Sequence, residues 1–307
     1  DQHEGFKVIT DRIKTTHKVK LLWIISFITF FLSAILDNLT TTIVMVALLR
    51  KLIDDKKTRW FYASMVVLAA NAGGAWSPIG DVTTIMLWLG GQVTTGKIIL
   101  GVFLPSIVCM VVPLALLSTT MKGHVSRPAV DENKKSATTA FERNLMLSLG
   151  IGGLLFVPVF KTITHLPPYM GMLLSLSIIW MITEILHLKK PKELKLSVVS
   201  ILKKVDVPTV LFFLGILSAV AALQSAGQLS VLAQTLDDTF GNVYLIGGAI
   251  GFLSAVVDNV PLVAGAMGMY PIADPGATGY MASFVQDGTF WEYLAYTAGT
   301  GGSMLII

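Results

Sequence analysis

The 307-residue sequence predicts an all-α polytopic membrane protein built from two inverted repeats. Hydrophobic residues make up 53% of the chain and charged residues 14%, which is too apolar for a soluble domain of this size. Apolar stretches recur along almost the whole chain, and a spanning helix needs roughly 20 such residues. One polar motif also occurs twice inside an apolar stretch. Each repeat is therefore predicted to contain a re-entrant hairpin and a broken transmembrane helix.

The first repeat is predicted over residues 1–143 and the second over residues 144–307. The first contains an amphipathic segment, an inner re-entrant hairpin (21–49), a broken helix (60–90), a span (98–120) and a cytoplasmic linker (121–143). The second contains three spans (144–160, 168–186 and 207–225), an outer re-entrant hairpin (241–270) and the start of a broken helix (290–307). The chain begins without Met or a signal-peptide pattern and stops inside an apolar segment, so we expect both ends of the protein to be missing from it.

The distribution of basic residues predicts which loops face the cytoplasm. Of the 23 Lys and Arg residues, 21 fall into four clusters, at 7–20, 50–59, 122–143 and 189–204. By the positive-inside rule these clusters are cytoplasmic, and the short connections that contain only Lys97 or Lys161 are external. No Lys or Arg occurs from Val205 to Ile307, so the loops of that stretch are predicted to face outward. The basic clusters are thus topology signals, and no nucleic-acid partner is expected.

Two apolar stretches are interrupted by an Asp-Asn pair. The stretch 21–49 has a basic cluster on each side, and a single spanning helix cannot place both clusters in the cytoplasm. Its two arms are too short to cross twice, so we predict a hairpin that enters from inside, with Asp37 at its tip. The stretch 241–270 has the same form around Asp258 without flanking basic residues, and is predicted to enter from outside.

The two hairpins align with each other. Residues 31–38 and 252–259 are identical at six of eight positions, and the other two positions exchange one aliphatic residue for another. A weaker match follows at a similar distance, between residues 70–79 and 298–307. A repeated unit whose copies enter from opposite sides is an inverted repeat, the arrangement in which many secondary transporters hold ions at the membrane midplane.

The hairpin tips contain ionisable groups at a depth where a carboxylate is costly unless it is paired, hydrated or bound to a cation. Asp37 and Asp258 therefore indicate an ion or proton path. The alternative is that each caps the second arm of its hairpin. Hard cations such as Na⁺ prefer oxygen ligands. Neutral oxygens are supplied beside the carboxylates by Asn38, Thr40, Thr41 and Asn259, although a threonine hydroxyl can instead bond within its own helix.

The helix over 60–90 is interrupted between Asn71 and Asp81 by three glycines and Pro78, which break the backbone hydrogen-bond ladder. The freed carbonyls, with Ser77, can coordinate a cation. The alternative is close helix packing through small residues. Asp81 is predicted to cap the second half-helix, with Thr83 and Thr84 in its first turn.

In the second copy of this motif Gly299 stands where Asn71 stands in the first, and hydroxyls are available from Thr300 and Ser303. The two half-sites are therefore not expected to be equivalent. No P-loop, His-Glu-x-x-His, Gly-x-Ser-x-Gly or Cys-x-x-Cys pattern occurs in the sequence. ATP-driven transport by this chain and intramembrane hydrolysis have no sequence support, so we expect a secondary transporter rather than an enzyme.

The chain resembles the NhaD-type sodium/proton antiporters of the ion transporter superfamily. The likeness rests on residues 36–42, 71–84 and 254–261 and extends over essentially the whole chain. It implies two re-entrant hairpins and two broken helices around a central site, a homodimer, and exchange of cytoplasmic Na⁺ or Li⁺ for external H⁺ without a prosthetic group. The residues implicated by motif are Asp37, Asn38, Thr40, Asn71, Asp81, Thr83, Thr84, Ser254 and Asn259, with Thr300 and Ser303 less directly matched.

Our hypothesis from the sequence is that Na⁺ and H⁺ compete for one site at Asp37, Asn38 and Asn71. The first alternative is a sodium-coupled carrier of a dicarboxylate or oxyanion, or an arsenite exporter, of the same superfamily, but acidic tips would repel an anion. A second is a membrane scaffold without transport activity. We expect an integral protein in contact with membrane lipid, in a bacterial-type plasma membrane or, alternatively, a chloroplast envelope.

Overall fold

This computed structural model of the protein describes residues 13, 15–128, 139–188, 199, 203 and 206–305. Those residues form helices and connecting loops and contain no β-strand beyond one isolated bridge between His17 and His124. Five helices of the described part are long and apolar enough to cross a membrane. The chain is therefore a polytopic, all-helical integral membrane protein. Most of the amphipathic segment before residue 21, and residues 129–138 of the predicted linker, lie outside the described residues.

The breaks predicted in the first repeat are present. Asp37 separates the first two helices, and residues 76–81 separate the third and fourth. The first, second, third and fifth helices extend three or four residues beyond a predicted limit, and the fourth ends at Leu89, one residue short of it. The helices are α1 (Lys18–Leu36), α2 (Asn38–Leu52), α3 (Lys56–Ala75), α4 (Val82–Leu89) and α5 (Thr95–Thr120).

The second repeat also contains the predicted elements, and one more. The three spans are α6 (Ala140–Thr164), α7 (Pro168–His187) and α8 (Val207–Ser225). They are followed by α9 (Gln228–Phe240), the hairpin arms α10 (Val243–Leu253) and α11 (Asn259–Met269), a short 3₁₀-helix (Gly279–Phe284) and α12 (Thr289–Gly301). The division between repeats at residues 143 and 144 stays a prediction.

The sequence analysis missed α9. This helix buries Leu229 and Ala233, one turn apart, and lies between Gly227 and Gly241, whose φ angles of 72° and 53° are accessible mainly to glycine. A search for long apolar stretches passes over it because about half of its residues are polar. Glycine at both ends and apolar residues four apart were the available signal.

The segments predicted to be cytoplasmic meet on one face of the molecule. Lys18 N, at the start of α1, donates to Gly123 O at 3.0 Å. Asp54 N, just after α2, donates to Ser126 O in the same loop at 2.9 Å. Both ends of the α1–α2 pair therefore attach to the loop that follows α5. The sequence argument that both arms are too short to cross is wrong for α1, whose 19 residues are long enough, and holds for α2, which has 15. The attachment of both ends to one loop is therefore better evidence for a hairpin than arm length.

The segments predicted to be external also meet one another. Asp287 N, in the loop before α12, donates to Gln92 O in the loop after α4 at 2.8 Å. Lys161 Nζ, near the end of α6, donates to Trp88 O in α4 at 2.6 Å. These contacts are consistent with the prediction, made from the basic residues, of which loops lie on the same side of the membrane.

The two copies of the repeat make the same contacts at aligned positions. In the first copy Ser33 Oγ of α1 donates to Ala70 O of α3 at 2.6 Å. In the second copy the aligned serine, Ser254, donates to the aligned Ala298 O of α12 at 2.9 Å. Each hairpin is thereby tied to the broken helix of its own repeat by one serine-to-carbonyl bond.

Close backbone contact between each hairpin and its broken helix depends on glycine. A Cβ added at Gly73 of α3 would lie 2.1 Å from Phe30 O in α1. A Cβ added at Gly301 of α12, the aligned position, would lie 2.1 Å from Gly251 O in α10. Since no side chain fits at either position, the small residues of these motifs serve close packing, the alternative that the sequence left open.

Candidate functional site

Asp37 forms the tip of the first hairpin. It occupies a positive φ of 75°, and its carboxylate caps α2. Oδ1 accepts from Thr40 N at 2.8 Å, and Oδ2 accepts from Thr40 Oγ1 at 2.7 Å. Asp37 is half-buried, and its hydrogen-bond partners lie in its own helix turn. Asp37 therefore caps the second arm of the hairpin, as the alternative interpretation predicted. Its carboxylate still lies at the hairpin tip.

Asp81 is the most deeply enclosed carboxylate of the predicted set, with 1% of its surface exposed. It caps α4 as predicted, because Oδ1 accepts from Thr83 N at 2.8 Å and from Thr83 Oγ1 at 2.5 Å. Its second oxygen, Oδ2, accepts from Asn38 Nδ2 at 2.5 Å. The break in the first broken helix and the tip of the first hairpin thus meet at this carboxylate.

Asn71 connects this centre to the second repeat. Its Oδ1 accepts the other Asn38 Nδ2 hydrogen at 3.1 Å, and its own Nδ2 donates to Ser303 Oγ at 2.7 Å. Gly299 of α12 also lies at the centre, since a Cβ there would be 3.8 Å from Asp81 Oδ2. The segments that converge are the start of α2, the break between α3 and α4, and the end of α12.

Two threonines of the predicted site, Thr41 and Thr84, have enclosed hydroxyl groups. Thr41 and Thr84 are fully buried, and their Oγ1 atoms have no hydrogen-bond partner among the described residues. A buried hydroxyl without a partner is uncommon, because it loses its hydrogen bonds to water without replacement. Each lies in the first turn of a helix that begins beside an aspartate of the site, α2 at Asp37 and α4 at Asp81.

Three other predicted hydroxyls are occupied by structural hydrogen bonds. Ser77 Oγ donates to Ala34 O at 2.5 Å, Ser254 Oγ donates to Ala298 O, and Thr300 Oγ1 donates to Tyr296 O at 2.6 Å within its own helix. The bonds of Ser77 and Ser254 join each hairpin to its broken helix, whereas the bond of Thr300 stays within α12. Ser33 also joins the hairpin to the broken helix in the first repeat but was not among the predicted site residues, although its alignment with Ser254 could have identified it.

The second hairpin tip is more open than the first. Asp258 is exposed, and its Oδ1 accepts from Val260 N at 2.9 Å, so it caps α11. Asn259 is half-buried, and its side chain makes no hydrogen bond with any residue that the structure describes. Asp258 and Asp37 both lie near enough to Asp81 for their charges to act on it. Among the described residues, a direct hydrogen bond reaches Asp81 from the first tip, through Asn38, and none reaches it from the second.

Comparison with known proteins identifies the relatives of this chain. A family model described as a citrate transporter matches residues 1–299. The chain is 49% identical to Sodium/proton antiporter 1 of Arabidopsis thaliana over all of its own length and 52% of the relative, and 47% identical to Sodium/proton antiporter 2 of the same plant, over 71% of that relative. It is 30% identical to the Na⁺/H⁺ antiporter NhaD of Alkalimonas amylolytica, with 94% of this chain and 60% of the relative covered. The chain thus spans between about half and 71% of the length of these relatives.

Proposed function

The chain belongs to the citrate transporter family, and from this membership we propose that it forms the ion-binding part of a sodium/proton antiporter. The names of its plant and bacterial relatives support this function, at 28% to 49% identity. The observation that carries the proposal is the enclosed Asp81 carboxylate, which accepts from Asn38 and Thr83. Asn38 is in turn linked through Asn71 to Ser303 of the second repeat. An enclosed negative charge among neutral oxygens suits a small cation or a proton.

In the proposed mechanism Na⁺ or Li⁺ and H⁺ compete for Asp81. A cation takes the place of the Asn38 amide hydrogen on Oδ2, and Asn38 turns its own oxygen toward the ion. The unpartnered hydroxyls of Thr41 and Thr84 are candidates for further ligands, and Asn71 links the response to Ser303, which follows α12. When a proton occupies Asp81 instead, the cation leaves. Competition for one site makes exchange obligatory, without a second binding step.

The sequence hypothesis placed Na⁺ at Asp37, Asn38 and Asn71, and the geometry favours a modified version. Asn38 and Asn71 stay as ligands, and Asp81 takes the central role. Asp37, whose hydrogen bonds are to Thr40, contributes its charge from the hairpin tip. We propose the same role for Asp258 and Asn259 at the tip of the second hairpin.

We also propose that both hairpins are re-entrant and that the repeats are inverted. The attachment of Lys18 and Asp54 to one loop supports re-entry of the α1–α2 pair. In the second hairpin α10 and α11 have 11 residues each, about 17 Å at 1.5 Å per residue, which is too short for a hydrocarbon core of about 30 Å. Cysteine accessibility from each side of the membrane tests this: the ends of each pair should label from one side only.

The second candidate is transport of an anion, which the description of the family as citrate transporters favours. Helix N-termini are the usual anion sites in such folds. Here the N-termini of α4 and α11 already bind the carboxylates of Asp81 and Asp258. An incoming anion would have to displace the side-chain carboxylate that already occupies each helix N-terminus. The geometry therefore supports a cation as the transported ion.

Proton movement in everted vesicles containing the full-length protein tests the proposed function. Na⁺ and Li⁺ should each cause dequenching of a pH-sensitive dye. Asp37→Asn is expected to weaken the response, because it removes a negative charge at the hairpin tip while Asn keeps an acceptor for Thr40. Asp55→Asn is the matched control, since Asp55 caps α3 through Thr58 in the same way but lies in a loop on the predicted cytoplasmic face.

Two results would contradict the proposal. Full Na⁺-dependent proton movement in Asp37→Asn would remove Asp37 from the mechanism. Absence of a response to either cation in the wild type, together with flux of citrate or another anion, would favour the second candidate.

We propose that the antiporter is a homodimer, as the resemblance implies. Of the two membranes expected, the higher identity to plant than to bacterial relatives favours the chloroplast envelope over a bacterial-type plasma membrane. Fractionation of the source cells with envelope and plasma-membrane markers distinguishes these locations. Crosslinking in native membranes tests for the dimer, and recovery of the monomer alone would argue against it.

A further inference from the structure

The loops at the predicted external ends of the two broken helices are interlocked. One loop, residues 90–94, joins α4 to α5, and the other, residues 285–288, leads into α12. Asp287 N donates to Gln92 O at 2.8 Å, and Gln286 Nε2 donates to Gly91 O at 2.8 Å. Gln92 N in turn donates to Leu87 O of α4 at 3.0 Å. A continuous chain of hydrogen bonds therefore runs from α4 to the residue that precedes α12 by two positions.

The side chain of Asp287 caps a helix that lies 193 residues away in sequence. Its Oδ1 accepts from Thr94 N at 2.6 Å, and its Oδ2 accepts from Thr94 Oγ1 at 2.9 Å. Thr94 is the N-cap residue of α5, and its own side chain makes no capping hydrogen bond. Asp287 thus provides, from the second repeat, the cap that the first repeat lacks at this position.

The backbone of Asp287 is in the left-handed region, with a φ of 60°. Such a conformation is unfavourable for residues other than glycine, although aspartate tolerates it better than most. Strained backbone persists where surrounding contacts enforce it, and it is concentrated at functional elements. Here the enforcing contacts are those to Gln92 and Thr94.

The interlock sets the relative position of the two half-helices that meet at Asp81. α4 starts at Asp81 and ends next to the first loop. α12 starts next to the second loop, and its far end brings Gly299 beside Asp81 and is followed by Ser303, which accepts from Asn71. Fastening the outer ends of α4 and α12 therefore keeps their inner ends in register at the candidate cation site.

We propose that Asp287 is a positioning residue for cation binding, which holds the broken helices of the two repeats in register and so sets the affinity of the site. The inference rests on the proposed function for the identity of the ion. The rival explanation is electrostatic, because Asp287 also interacts with the charge of Glu292, which interacts with Lys97. The two explanations differ in whether Asp287 acts on cation affinity through its hydrogen bonds to Thr94 or through its negative charge.

Two substitutions of Asp287 separate geometry from charge. Asp287→Asn removes the charge, keeps an acceptor for Thr94 N and tolerates the left-handed backbone. Asp287→Ala removes both the cap and the charge. Asp274→Ala is the control, because Asp274 is an exposed acidic residue in the same connection between α11 and α12, and its side chain makes no hydrogen bond among the described residues.

In vesicles, Asp287→Ala is expected to raise the KM for Na⁺ about five-fold, the size of one lost N-cap. The maximal rate should stay within about two-fold, because the reacting groups are unchanged. Asp287→Asn and Asp274→Ala should both keep the wild-type KM. A wild-type KM in Asp287→Ala, or an equal loss in Asp287→Asn, would overturn the proposal.

Stabilisation of the purified protein against heat by Na⁺, with choline as the salt control, gives a second readout without transport. Asp287→Ala should need about five-fold more Na⁺ for the same shift of the melting temperature. If the wild type is stabilised by Na⁺ but does not exchange it for protons, the proposed function is wrong, and the stabilisation series still decides the role of Asp287. If the wild type responds to Na⁺ in neither assay, both the proposed function and the proposed role of Asp287 are wrong.

Discussion

Replacement of Asp81 by Asn is expected to abolish Na⁺- and Li⁺-dependent proton movement. Asn is a good N-cap and keeps an acceptor for Thr83 N, so the start of α4 should form normally. The substitution removes the carboxylate to which the amide of Asn38 donates. Without that negative charge neither a cation nor an exchangeable proton is held at the centre. Dequenching in vesicles should fall to the level of membranes that lack the protein.

Heat stability separates loss of binding from loss of folding. At a Na⁺ concentration of 100 times its Kd, a single site stabilises the wild type by about 2.7 kcal/mol. Asp81→Asn should melt normally without Na⁺ and gain nothing when Na⁺ is added. Asp55→Asn should behave as the wild type in both assays. Hydrogen bonds from Thr58 lower the pKa of Asp55, so this control replaces a cap that is ionised near neutral pH. Na⁺-dependent stabilisation that survives in Asp81→Asn would place the ion elsewhere.

Replacement of Gly73 or Gly301 by Ala is expected to produce the largest loss of folded protein among single substitutions. Each added Cβ would lie 2.1 Å from a backbone carbonyl oxygen, so relief requires a hairpin to move away from its broken helix. Overpacking of this kind costs about 3 kcal/mol or more, because neither partner is a flexible side chain. In Gly73→Ala the movement also separates Asn38 from Asn71. The yield of monodisperse protein in detergent and its melting temperature measure the effect.

Glycines in open positions of other helices are the matched controls. A Cβ at Gly150 of α6 or Gly265 of α11 would meet no atom within 4 Å. Ala at these positions should leave stability unchanged or raise it by about 0.5–1 kcal/mol, because Ala is the better helix former. If Gly73→Ala and Gly301→Ala are as stable as these controls, the close approach of hairpin and broken helix is incorrect.

The helices and their interruptions were predictable because their causes are local. Runs of apolar residues give the spans, and Pro78 with its neighbouring glycines interrupts the helix between α3 and α4. The cap at Asp81 was predicted from its place at the start of the second half-helix, and a cap at Asp37 was the alternative to its role in an ion path. The helix α9 was missed because its signal is spread over one amphipathic face and is weak in any short window.

The choice of central carboxylate could not be made from the sequence. The sequence favours Asp37 and Asp258 as the central carboxylates, because each follows an apolar arm and occurs in a repeated motif. Asp81 is predicted from its position to cap a helix. In the folded chain Asp37 is half-buried, Asp258 is exposed and Asp81 is enclosed. Burial depends on how the elements pack, and a single sequence contains no direct record of that packing.

The sequence by itself determined the membrane class, the order of the spans, the breaks and the repeated motif, since each follows from hydrophobic length, backbone chemistry or identity within a short window. The tertiary structure alone decided which distant groups meet. Asn71 reaches Ser303 across 232 residues, and Asp287 reaches Thr94 across 193. These meetings depend on the close approach of backbones at Gly73 and Gly301, where the smallest residue lets two helices touch and so brings both repeats to Asp81.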